Sequence, residues 1–240
     1  MYEIDIKGDI IEEDLQWLYD WVGWSYTSAK NVVNSLKEAN GQPVRIKVNS
    51  PGGSVFAASE IYTELKSYSG EVNIEIVGLA ASAASVISMA GKNKMSPTAQ
   101  LMVHNVLGGA RGDYRDMDHM SEILKNANNT IANAYMSKSG MSREKALDLM
   151  EKESWLTAQQ AKEYGLIDEI MFEENNKFIL NNNKEIKLYN SFSSIPDEIL
   201  EKLNIKNIDQ PTNLNKVDFF MQEKAQAQLN LLKLGGKSYE

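Results

Sequence analysis

Apolar and polar residues alternate at every second position in three short stretches: Ile4 and Ile6; Val44, Ile46 and Val48; Val72, Ile74 and Ile76. That period belongs to strands whose two faces differ. Between the second and third stretches, Ser54 to Tyr68 is helical in pattern, with Val55, Ala58, Ile61 and Leu65 on one side and Gly70 as a stop. Strand, helix and strand at this spacing predict βαβ crossovers, and so an α/β fold with a mainly parallel sheet and helices outside it. Asp113 to about Lys138 carries Met117, Met120, Leu124, Ile131 and Ala134 at helical spacing and predicts one long helix. Another helix is expected after Ser142. Thr157-Ala158-Gln159-Gln160 has the form of a capping box opening a short helix that Gly165 closes.

Past Ile170 the texture changes. The pairs and triplets of asparagine between Asn175 and Asn183 predict turns, in a hairpin or connector over 174–190. Residues 191–240 read as a C-terminal helical extension, amphipathic from Val217 to Leu234, and the main domain is set at 1–173.

Composition acts mostly by exclusion. With 33 acidic against 25 basic side chains the net charge is -8, which argues against nucleic acid or anionic membrane as a partner. The absence of cysteine removes disulfides, thiolate metal sites and cysteine nucleophiles, and fits a reducing compartment. The start MYEIDIKGDI has neither the basic head nor the apolar run of a signal peptide. Val77 to Ala90, the longest weakly polar stretch, is interrupted by serines and falls short of the ~20 residues a membrane span needs. A soluble, cytoplasmic protein is expected, in the host cytoplasm if the chain is phage-encoded.

Any chemistry that needs imidazole must use His104 or His119, the two histidines of the chain. His119 lies amid Asp113, Arg115, Asp116 and Asp118 and reads as a solvated residue on the polar side of the long helix. His104 ends the apolar run Leu101-Met102-Val103, which suits a buried strand, and stands before Gly108-Gly109. A packed histidine at a strand end would explain it equally well. Ser82 lies in Gly78-Leu79-Ala80-Ala81-Ser82-Ala83, where a predicted strand gives way to the helical run Ala84 to Ala90. Small residues at such a turn let a hydroxyl project as a nucleophile, and they serve close helix packing just as readily. Asn49-Ser50-Pro51-Gly52-Gly53-Ser54 joins a strand to a helix, and paired glycines there can turn a backbone N–H toward an anion or simply make the turn. Neither the Walker lysine nor the dinucleotide-binding glycine spacing is present.

Five segments share an order and spacing: Asn-Ser-Pro-Gly-Gly at 49–53, Gly-x-Ala-Ala-Ser at 78–82, Met-Val-His at 102–104, Leu-Gly-Gly at 107–109, and Thr-Ala-x-x-Ala-x-x-Tyr-Gly-Leu-Ile-Asp at 157–168. In these the chain resembles the Clp protease proteolytic-subunit family over roughly 41–170. Its N-terminus, with Trp17, Trp21 and Trp24, is more similar to phage and prophage members. The resemblance implies a Clp-protease/crotonase-like α/β fold of repeated ββα and βαβ units with a long handle helix. It also implies serine endopeptidase activity without cofactor or metal, a polypeptide substrate, and a homo-oligomer of one ring or stacked rings. On matching positions Ser82 becomes the nucleophile, His104 the general base, and the Gly53 and Ala83 N–H groups the oxyanion hole. Glu153 stands where the family has an aspartate, with Glu151 a more distant candidate. Gly52, Leu107, Gly108 and Gly109 would hold an extended substrate by main-chain pairing. Val106 replaces the family's proline after the histidine, and the segment that meets an ATPase unfoldase has no counterpart before the first strand, which leaves ATP-independent and ATPase-assisted hydrolysis both open. Phage capsid maturation is the setting expected for such a member. The alternatives are a ring-forming scaffold or capsid-assembly protein with vestigial catalytic residues, and a Ser-Lys peptidase similar to signal-peptide peptidases, using Lys92 or Lys94.

Overall fold

A computed structural model gives the fold and describes residues 1–173. In chain order the elements are β1 (Tyr2–Ile11), α1 (Gln16–Val22), β2 (Tyr26–Ser28), α2 (Ala29–Ala39), β3 (Val44–Gly53), α3 (Val55–Ser67), β4 (Val72–Ala81) and α4 (Ala83–Ile87). They continue with β5 (Lys92–Met95), β6 (Gln100–Val103), α5 (Tyr114–Ser139), α6 (Arg143–Glu151), β7 (Ser154–Thr157), α7 (Ala158–Glu163) and β8 (Glu169–Ile170). The described residues divide into two units, Met1–Val106 with 126–173, and Leu107–Lys125. The connector expected at 174–190 and the helical extension expected at 191–240 lie outside the described residues.

The first unit is built on one sheet in the order β2-β1-β3-β4-β5-β8, with β6 on β4 and β7 on β6. Every ladder among the described residues is parallel except β6 with β7. The strand alternation read from the sequence sets which face is buried: Ile4 and Ile6, Val44, Ile46 and Val48, and Ile74 and Ile76 all enter the core. The intervening positions carry charge. Glu75 of β4, nearly buried, is held by Arg45 of β3 at 3.4 Å and Lys94 of β5 at 3.2 Å, so its carboxylate is compensated on both sides.

Helix ends follow local chemistry. Ser54 caps α3 by accepting from the Ala57 N–H, and α3 buries Ala57, Ala58, Ile61 and Leu65. Thr157 and Gln160 form the expected capping box on α7. Helix α2, for which no pattern was read, buries Ala29, Val32, Leu36 and Ala39 and ends at Asn40, whose φ of 45° is left-handed. The helix expected over Ala84 to Ala90 is shorter, because Met89 and Ala90 donate three residues back, to Val86 and Ile87, and tighten the last turn. The long helix forms as α5, 26 residues or about 39 Å, and in the first unit it buries Ile131, Ala132, Ala134 and Tyr135. No helix among the described residues is long and apolar enough to cross a membrane.

Candidate active site

Two strand ladders bring the sequence's separate candidates together. β4 and β6 run parallel with Leu79, Ala80 and Ala81 beside Gln100, Leu101 and Met102. The next residue, Ser82, donates its N–H to Met102 O at 2.9 Å and so stays tied to β6 as β4 ends. β6 and β7 run antiparallel, and their ladder ends on the pair Val103 and Ser154, so His104 and Glu153 each lie one residue beyond it. The three candidates thus converge from the ends of adjacent strands.

Ser82 turns the chain from β4 into α4 with φ 53° and ψ −124°, a conformation that side chains avoid. Its Oγ lies 2.7 Å from His104 Nε2, within proton-transfer reach. His104 is about half-buried, and that burial holds its pKa below the ordinary histidine value, with the charge of Glu153 acting weakly the other way. The neutral imidazole, able to accept a proton, is therefore favoured. Val106 donates its N–H to Asn128 Oδ1 at 2.7 Å, which pins the backbone two residues past the imidazole.

The Asn-Ser-Pro-Gly-Gly segment meets this turn at Gly52, while its flanking residues are held by β4 and β1. Asn49 Oδ1 accepts from the Leu79 N–H at 3.1 Å, and the buried Ser50 Oγ accepts from the Gly52 N–H at 3.1 Å. A Cβ on Gly52 (φ 102°) would stand 2.7 Å from Ala81 O, 2.8 Å from Ser82 Cβ and 2.9 Å from Ala83 N. One on Gly53 (φ 144°) would meet Ile10 O at 2.1 Å. Both glycines are required by close backbone approach. Ala83 opens α4, where a first-turn N–H has no acceptor within its own helix.

Five linked segments, an elbow serine on a histidine and a matching sheet meet a direct comparison: the model of the Clp protease family matches residues 17–174. The chain belongs to the Clp protease family. It is similar to the ATP-dependent Clp protease proteolytic subunit of Bacteroides fragilis, 36% identical over 137 residues, 56% of this chain and 66% of that one. It is also similar to the ATP-dependent Clp protease proteolytic subunit 1 of Chlamydia abortus, 36% identical over 141 residues, 56% of this chain and 73% of the relative. The corresponding subunit of Bacteroides thetaiotaomicron is 33% identical over 137 residues, 56% of this chain and 62% of its own. The chain spans less than two thirds of the length of two of these three relatives.

Within this Clp family chain the remaining candidates fall unevenly. Glu153 is exposed, itself left-handed with φ 47°, and within electrostatic reach of His104. Among the described residues the imidazole makes one hydrogen bond, to Ser82, and none to a carboxylate. Leu107, Gly108 and Gly109 belong to the second unit, where all three are exposed. The lysines of the Ser-Lys alternative are a correction. Lys92 and Lys94 pair with Glu71 and Glu75, and their strand β5 lies beside Asn73 to Ile76. The β4 segment from Glu75 to Ser82 is roughly 20 Å long at strand rise, too far for a dyad. Asp168, last residue of the Tyr-Gly-Leu-Ile-Asp signature, turns out to be an anchor: its carboxylate accepts from Asn93 N at 2.7 Å and Lys138 Nζ at 2.6 Å. No three His, Asp or Glu side chains among the described residues gather as a metal site would need.

Proposed function

We propose that this Clp family chain is a serine endopeptidase that hydrolyses polypeptides through an acyl-enzyme. Ser82 Oγ attacks the scissile carbonyl while His104 Nε2 takes its proton, and the Gly53 and Ala83 N–H groups receive the oxyanion. The imidazolium then protonates the leaving amine. Water, deprotonated in turn by His104, frees the acyl group and restores Ser82. Glu153 stabilises the imidazolium by its charge. The carrying observation is the 2.7 Å contact between Ser82 Oγ and His104 Nε2 at a strained elbow. The similarity to proteolytic subunits supports the same reaction class.

Leu107 to Gly109, which belong to no helix or strand, offer main-chain groups to an extended polypeptide, and Gly52 acts through its close fit under Ser82. The working form is a homo-oligomeric ring. The relatives are named ATP-dependent, yet the acyl transfer itself consumes no ATP, so an ATPase partner would matter for unfolding a substrate and not for cleaving it. The phage setting and capsid maturation rest on Trp17, Trp21 and Trp24 alone. The vestigial-scaffold alternative draws on one observation, the missing hydrogen bond between Glu153 and His104. Incubation of the assembled chain with casein, an unfolded polypeptide, decides between them. Cleavage that disappears in Ser82→Ala is expected, and intact casein with the wild-type chain would favour the scaffold.

A further inference from the structure

Beneath the Ser82 turn runs a buried polar chain with no part in the proton transfers. Ser85 of α4 is fully buried, and its Oγ lies 2.6 Å from Ser82 O. Tyr135 of α5, also buried, sets its phenol oxygen 2.7 Å from the same Oγ. A carbonyl oxygen only accepts, so the single Ser85 hydroxyl proton goes to Ser82 O, and Ser85 Oγ accepts in turn from Tyr135. Burial raises the Tyr135 pKa above the ordinary phenol value, so the phenol stays protonated and remains a donor at neutral pH.

The Ser82 carbonyl shares one peptide unit with the Ala83 N–H. In a trans peptide the two point in opposite directions and are coupled by amide resonance. Hydrogen bonds at the oxygen therefore fix the plane and make the N–H a stronger donor. Ser82 O accepts twice from Ser85, from Oγ at 2.6 Å and from its N–H at 3.0 Å.

We infer that Tyr135 and Ser85 are positioning residues of the oxyanion hole, and that the relay from Tyr135 through Ser85 to Ser82 O orients and polarises the peptide that presents the Ala83 N–H. The inference rests on the reading of Ser82 as nucleophile. It assigns a role to a tyrosine that touches neither substrate nor imidazole.

The test compares the assembled wild-type chain with Tyr135→Phe and with the double variant Tyr135→Phe/Ser85→Ala. The first leaves Ser85 Oγ without its donor; the second removes both polar partners, which restores stability when only the pair itself was at stake. The readouts are the second-order rate of Ser82 labelling by a fluorophosphonate, KM and kcat on a fluorogenic peptide, and the thermal midpoint. Both variants are expected to label about tenfold more slowly and to lose kcat with KM unchanged, a fraction of the effect of deleting an oxyanion donor outright. In the double variant the midpoint recovers while the rate does not. If the labelling rate recovers together with the midpoint, the pair is only packing and the inference falls. If the wild-type chain itself is not labelled at Ser82, the peptidase reading falls first and takes this inference with it.

Discussion

Burial and charge pull the His104 imidazole in opposite directions, with burial the larger effect, so its pKa lies below the ordinary histidine value. As a general base it works unprotonated, so kcat/KM should rise as pH climbs through that lowered pKa, with the acid limb below the range of a free histidine. A limb above it would mean that another group titrates. Because the Glu153 charge raises the His104 pKa, Glu153→Gln should move the limb to still lower pH, and an unmoved limb would remove Glu153 from the site. His104→Ala should reduce peptide hydrolysis by about 10³ or more, since both proton transfers pass through it. Ser82 and His104 stand out in the sequence only through the five spaced segments, because small residues at a turn and a histidine at a strand end suit plain packing equally well. Tyr135 does not: among Ile131, Ala132 and Ala134 an aromatic ring reads as core, and nothing in a sequence marks which phenol finds a hydroxyl.

At the scale of elements the site depends on register and on backbone approach. Gly52, its N–H held by Ser50, packs against the turn at Ser82, and Gly52→Ala should disable it: the added Cβ lies within 3 Å of three atoms, two of them backbone, at a φ of 102°. Strain of about 1–3 kcal/mol and loss of Ser82 labelling are expected, by thermal unfolding and probe labelling of the same sample. At the other end of the sheet, buried Asn93 donates to Ser88 O and Leu166 O, each at 2.9 Å, and accepts from Asp168 N at 2.9 Å. Asn93→Ala strips three hydrogen-bond partners at once, two of them buried, and should lower stability by about 2–4 kcal/mol while leaving the 2.7 Å Ser82–His104 contact in place. Alternation made β1, β3 and β4 readable. Helix α2 was equally readable, since Ala29, Val32, Leu36 and Ala39 recur at helical spacing with polar residues between them, whereas the antiparallel pairing of β6 with β7 is a tertiary choice that no local period encodes.

For the molecule as a whole, the charged outer positions of the sheet and the apolar residues left exposed point to different demands. Phe56 and Trp21 are exposed in the first unit, and Tyr114, Met117 and Ile123 in the second. Side chains of this kind are the usual material of subunit contacts. Native mass measurement should give a multiple of 26.9 kDa large enough for a ring, and a monomer under assay conditions would contradict the proposed assembly. The family could be read from five spaced segments because close backbone approach at Gly52 and Gly53, the capping box at Thr157 and the anchor at Asp168 each tie a residue type to its place, whereas the fit of partner subunits leaves no such local signature. The claim on which the account turns is that Ser82, activated by His104, is a nucleophile. Peptide mass spectrometry of the assembled chain after fluorophosphonate treatment tests it directly. The account predicts one adduct, on Ser82, that is lost in His104→Ala; an unmodified Ser82, or a label on another residue that persists without His104, would contradict it.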